Sequence, residues 1–149
     1  MRRTLATVAL VLLLAGGCGD DRGGEAPGAA PASLAPGEII EVAILTGTSA
    51  GGRVTTELTV LADEQAVRRY VERFRNDRLQ GQIVRAAERA RVPEDRRLAA
   101  AVVAIGCEVP TRVVGTSTGG ETVVRAVLPS PTKQCLAPIT SVVLVLVPA

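Results

Sequence analysis

The chain of 149 residues carries 17 basic and 15 acidic side chains, three cysteines, one Tyr and one Phe, and neither Trp nor His. Without an imidazole, the Ser-His-Asp and Cys-His nucleophile systems, histidine metal ligands and a histidine general base are all excluded for this chain alone. Two aromatic residues are too few for a base-stacking nucleic-acid platform, and the length suits a single domain.

The chain opens with an export address. Arg2 and Arg3 form a positive n-region, and residues 5 to 15 form an apolar run of eleven, too short to span a bilayer as a helix. The run ends in Ala15-Gly16-Gly17-Cys18, followed by the polar Gly19-Asp20-Asp21. This segment resembles the lipobox of bacterial lipoproteins, with Ala15 where that family favours Leu. The resemblance covers residues 1 to 18. It implies that residues 1 to 17 are a signal peptide, that Cys18 is lipidated on sulfur and becomes the mature N-terminus, and that the protein is anchored to the bacterial cell membrane on its extracytoplasmic side. The alternative is an ordinary secretory signal cut at Ala30-Pro31-Ala32. Loss of Arg2 and Arg3 leaves 15 basic against 15 acidic side chains, so the net positive charge belongs to a discarded segment and points neither to nucleic acid nor to a basic membrane-contacting patch.

Residues 19 to 37 are rich in Gly, Ala and Pro, with Leu34 as the one sizeable apolar side chain. Such a composition cannot build a core, and the segment following Cys18 is expected to be a flexible tether. Its ends would lie about 24 Å apart as a coil, with roughly 65 Å as the extended limit.

The composition changes at Glu38, where a unit of 112 residues rich in Val, Ile, Leu and Thr begins. Residues 38 to 46 predict a strand, GTSAGG at 47 to 52 a turn, and residues 53 to 61 a second strand. In that second strand Val54, Thr56, Leu58 and Val60 alternate with polar partners. The two strands are expected to form a hairpin. Asp63 offers an N-cap, and Val67, Tyr70, Val71 and Phe74 follow at helical spacing with arginines between them, which predicts an amphipathic helix with both aromatics in the core and a solvated arginine face. A second helix is expected from about Leu79 to Ala90 on Leu79, Ile83, Ala86, Ala87 and Ala90. Residues 98 to 105 then suit a central strand, residues 112 to 115 and 121 to 128 flank a turn at GTSTGG, and the β-branched run 139 to 147 is expected near the sheet centre. The order ββα(α)ββββ argues for an α+β fold whose mostly antiparallel sheet of five to six strands carries one or two helices on one face.

Cys107 and Cys135 form an even pair outside the cytoplasm, and a disulfide is expected between them. On the chain-entropy model it contributes roughly 3–4 kcal/mol. No C-x-x-C spacing and no D-x-D-x-D loop is present, so neither a metal nor a cofactor is expected. The glycines of 47 to 52 are better explained by turn geometry than by phosphate binding, because Arg53 and Val54 stand where a phosphate loop has Lys and Ser or Thr. The carboxylates are scattered, and a Ser130–Lys133 dyad would sit in a Pro-rich loop, a poor rigid platform. The functional expectation is therefore a non-catalytic binding or interaction domain, with an envelope protein as partner and Pro129, Ser130, Pro131, Thr132, Lys133 and Gln134 as the contact loop. The alternatives are a small-ligand carrier holding its ligand between helices and sheet, a protease inhibitor presenting Lys133, and a carboxylate-based hydrolase.

Overall fold

A computed structural model describes residues 38 to 118, 121 to 131 and 134 to 149. The expected signal peptide, Cys18 and the tether lie outside the described residues. The elements follow in the order β1 (Ile40–Thr48), β2 (Thr59–Val60), α1 (Glu64–Val71), α2 (Asp77–Arg89), β3 (Arg96–Gly106), β4 (Arg112–Thr118), β5 (Glu121–Val127) and β6 (Ile139–Pro148). The fold is α+β with antiparallel pairing throughout. Its six strands are divided between a four-stranded sheet, β1-β6-β3-β2, and a two-stranded ribbon, β4-β5.

The two strands with uninterrupted apolar sequences take the two central places. Along β6, residues 141 to 147 are all buried, as are residues 98 to 104 along β3, because a strand covered on both faces has no solvent side to mark with polar residues. Alternation then sorts their side chains. Leu98, Ala100, Val102, Val142, Leu144 and Leu146 join one core cluster with Tyr70, Phe74, Leu79 and Ile83 beneath the helices. Ala99, Ala101, Val103, Val143, Val145 and Val147 join a second cluster with Val124 beneath the ribbon. The molecule is thus layered as helices, sheet and ribbon.

Both helices start on side-chain caps. Asp63 Oδ1 accepts from Ala66 N at 2.7 Å, as its position in the sequence predicts. Asn76 Oδ1 accepts from Leu79 N at 2.9 Å, and its Nδ2 donates to the Thr48 carbonyl at 3.0 Å, so one residue both starts α2 and ties it to the end of β1. Helix α1 is shorter than the apolar spacing suggests and ends at Val71. Phe74 is nevertheless buried, packed edge-on against Tyr70 with ring centroids 5.6 Å apart. Arg68, Arg69, Arg73 and Arg75 face solvent, and the Arg73 guanidinium lies 4.3 Å from the Tyr70 ring centroid.

Two expectations are corrected. The predicted hairpin of residues 38 to 46 with 53 to 61 does not form. β1 pairs with β6, and after Gly51 and Gly52, both at positive φ, the chain crosses to the far side of β3, where only Thr59 and Val60 form a strand. Val54 and Val60 are exposed, Leu58 is half-buried against the ribbon-side cluster and Leu61 is buried, so the segment has no single buried face of the kind its alternation predicts. The reason is competition for the centre of the sheet. β6 and β3 bury both faces, while the half-polar segment 53 to 61 is left for an edge. There it connects the two sheets: Thr55 N donates to Val102 O at 3.0 Å, and Val124 N donates to Thr56 O at 3.2 Å. The second correction concerns β4, which runs to Thr118 instead of stopping at Gly115. Thr118 pairs with Glu121, and the expected turn narrows to residues 119 and 120, outside the described ones.

Candidate functional site

A cleft of about 660 Å³ lies between the start of α1, the end of α2 and the β2–β3 edge of the sheet. Its apolar lining comes from Leu61, Val67, Val84, Ala87 and Leu98. The opening has a cause in the sequence of α2. In the first half of that helix Leu79 and Ile83 fill the space above the sheet and are fully buried. Toward and just beyond the end of α2 the residues packed against the core are Val84, Ala86, Ala87 and Ala90, and at Ala87, which lines the cleft with Val84, a methyl group leaves space that a larger side chain would close. A volume of this size lies within the range of small-molecule sites.

The charged residues around the cleft differ in what they have left to offer. The Asp63 carboxylate is occupied by the helix cap. Glu64 and Arg68 form an i,i+4 ion pair with both side chains mostly in solvent, an arrangement that contributes little to stability. Arg96 is different. Its side chain is only 9% exposed, although it belongs to a cleft-lining residue. Among the described residues its Nη1 donates to the Glu38 carbonyl, and Asp95 Oδ2 lies 3.7 Å from Nε, beyond hydrogen-bond distance. A guanidinium has five donors. A nearly buried one with a single close acceptor is under-partnered, and burying such a charge without full pairing is unfavourable.

A second recess, of about 340 Å³, lies at the start of α2 and is lined by Thr46, Thr48, Asn76, Arg78 and Gln82 among others. Among the described residues no group of three His, Cys, Asp or Glu side chains could hold a metal ion, and no helix is long and apolar enough to cross a membrane.

The residues singled out from the sequence lie elsewhere. Cys107 and Cys135 are bonded, with Cα atoms 5.3 Å apart, and join the loop after β3 to the segment before β6. Those strands already pair through Gly106 and Ile139, so the bridge chiefly restrains the connection between β5 and β6. In that connection Pro129, Ser130, Pro131 and Gln134 are exposed, while Thr132 and Lys133 are outside the described residues. Leu128 and Leu136, on either side of the loop, are 50% and 109% exposed. In the 47 to 52 turn the glycines serve packing: a Cβ on Gly52 would meet Phe74 Cε1 at 3.1 Å, and Thr140 Oγ1 donates to Gly51 O at 2.8 Å.

Three buried side-chain atoms have no hydrogen-bond partner among the described residues: the Tyr70 hydroxyl, Gln82 Oε1 and Ser141 Oγ. Burial pushes the ionisation of Tyr70 well above the ordinary phenol value, with Arg73 pulling weakly in the opposite direction.

The cleft is not visible in the sequence as a site, because its apolar lining residues are of ordinary core types. The signal that could have found it was the taper from Leu79 and Ile83 to three alanines, followed by Arg96 at the start of an otherwise apolar strand. Comparison of the chain with protein-family models, curated proteins and solved structures finds no match.

Proposed function

We propose that this chain is a non-catalytic binding domain, held on the extracytoplasmic side of the bacterial cell membrane by lipid on Cys18 and a tether of residues 19 to 37, and that the cleft beneath the two helices is its binding site. The observation that carries the reading is the cleft itself, an apolar cavity of about 660 Å³ bounded by a nearly buried guanidinium. The anchor is supported by the order of n-region, apolar run and Ala15-Gly16-Gly17-Cys18. Native mass spectrometry of the protein purified from its own envelope tests both parts. The expected spectrum shows a lipidated Cys18 and a co-purifying small molecule that is lost in Ala87→Trp, where the indole fills the cleft. An unmodified Cys18 overturns the anchor, and a wild-type protein that carries nothing more than Ala87→Trp does overturns the cleft.

A second reading is favoured by Leu128 and Leu136, whose exposure beside a disulfide-restrained, Pro-rich loop fits contact with an envelope protein. Restrained loops bind at low entropic cost. Crosslinking in intact envelopes is expected to capture one saturable partner that is lost in Leu128→Asp/Leu136→Asp. A capture pattern unchanged by that pair rejects this reading.

A further inference from the structure

We propose that the cleft takes a single-chain amphiphile with an anionic head, its aliphatic chain lying on Leu61, Val67, Val84, Ala87 and Leu98 and its carboxylate or phosphate held by Arg96. This inference deepens the cleft reading above and rests on it. Two independent observations meet at the site. The first is the chemistry of the lining, whose five apolar side chains come from β3, both helices and the segment after β2, with Asp63, Glu64, Arg68, Glu88 and Arg97 also bordering the cleft. The apolar part rewards an extended hydrocarbon, since each methylene withdrawn from water contributes about 0.8 kcal/mol. The second is Arg96, with a side chain 9% exposed and one close acceptor, the Glu38 carbonyl, among the described residues.

Charge complementarity selects the head group. A guanidinium presents paired N–H groups that match a carboxylate or phosphate in a two-point arrangement, and charge-assisted bonds of this kind are shorter and stronger than neutral ones. Asp95 offers Arg96 little competition, because it is 3.7 Å away and its side chain is 79% exposed. An incoming anion would add charge-assisted partners to a guanidinium whose side chain is 9% exposed. A cationic head would face that same charge at close range and be repelled. Of the other charged residues lining the cleft, Glu64 pairs with Arg68, Asp63 is held by the helix cap, Arg97 donates to the Pro148 carbonyl, and Glu88 adds a carboxylate to the lining, so Arg96 is the most buried cation available to a head group.

The test uses the full protein as purified from membranes. It is incubated with dodecyl-chain diazirine probes that carry a carboxylate, a phosphate monoester or a trimethylammonium head, irradiated, and mapped by mass spectrometry. The carboxylate or the phosphate probe is expected to label peptides within 61–68 and 84–98 about tenfold more than the ammonium probe, the factor set by one charge-assisted contact. Whichever anionic head labels more strongly distinguishes a fatty-acid-like from a lysophospholipid-like ligand. In Arg96→Gln the anionic preference is expected to fall below about twofold with chain labelling retained, and in Ala87→Trp labelling by all probes should disappear. If Arg96→Gln fails to fold, the three-probe comparison on the wild type still decides. Equal labelling of the cleft by anionic and cationic probes overturns the anion assignment and leaves the cleft reading intact. Absence of cleft labelling by every probe overturns both.

Discussion

The two faces of the central sheet bury neighbouring residues of the same strands in different ways. On the helix face, Leu98, Leu144 and Leu146 meet Tyr70, Phe74, Leu79 and Ile83, which are large side chains that hold the helices at a distance and, where α2 turns to alanine, leave the cleft. On the ribbon face every central-strand contact is Ala or Val, and the ribbon packs on them. Gly115 marks a tight spot within the ribbon: a Cβ there would sit 2.6 Å from the carbonyl oxygen of Val123 on the paired strand and 2.8 Å from Ile39 Cδ1, just before β1. One sheet therefore carries a helix layer with a cleft on one face and a ribbon seated on small side chains on the other, and side-chain volume distinguishes the two.

Adjacent residues of β6 test that contrast most directly. Leu144 faces the helices and Val143 the ribbon, and both are fully buried. Leu144→Ala is expected to cost about 4 kcal/mol in urea unfolding and Val143→Ala about 2 kcal/mol, since the first removes more carbon atoms and leaves the larger void. Equal losses would break the comparison. Cys107→Ala/Cys135→Ala comes next, with an expected loss of about 3.5 kcal/mol for a closed loop of this length on the chain-entropy model. The same shift should follow from adding a reductant to the wild type.

Two glycines probe the spacing of each layer. Gly115→Ala on the ribbon side is expected to cost about 3 kcal/mol, because the Val123 carbonyl on the paired strand blocks the new methyl and β4 and β5 have to separate locally. Gly47→Ala on the helix side meets Leu79 Cβ at 2.8 Å, and repacking of α2 should limit the loss to about 2 kcal/mol. A larger loss at Gly47 would mean that the helix layer is the more rigid of the two.

The smallest effect is a gain. Tyr70→Phe removes a buried hydroxyl that has no partner among the described residues, and melting should show a stabilisation of about 1 kcal/mol. The same variant changes the response to base. The phenol is raised by burial in the folded protein, so below pH about 10 both folded and unfolded chains keep the proton and nothing changes. Above that, the unfolded chain releases it while the folded chain retains it, and stability falls as pH rises. In Tyr70→Phe this contribution to the alkaline loss should vanish.

Much of the fold was legible because local rules had no rival. Asp63 as a cap, the aromatic pair on the apolar stripe of α1, the central placing of residues 139 to 147 and the Cys107–Cys135 bridge all follow from residue type and spacing. Residues 53 to 61 were misread because alternation marks a half-buried strand without saying which neighbour it pairs with. The arrangement of the site was hidden for a related reason. Val84, Ala87, Leu61 and Leu98 are ordinary core residues by type, and their convergence on unfilled space depends on three elements far apart in the chain.

The amino-acid sequence by itself determined the chemistry this protein lacks, the class and order of its elements, and the two strands apolar enough to be covered on both sides. These properties depend on side-chain type and near-neighbour periodicity, which do not change with the path of the chain. Only the tertiary structure decided that β1 pairs with β6, that the ribbon lies over the second face, and that Arg96 enters a mostly apolar cleft with one close acceptor among the described residues. Pairing and enclosure are settled by competition among distant segments for the same buried surface, and no local pattern records the outcome.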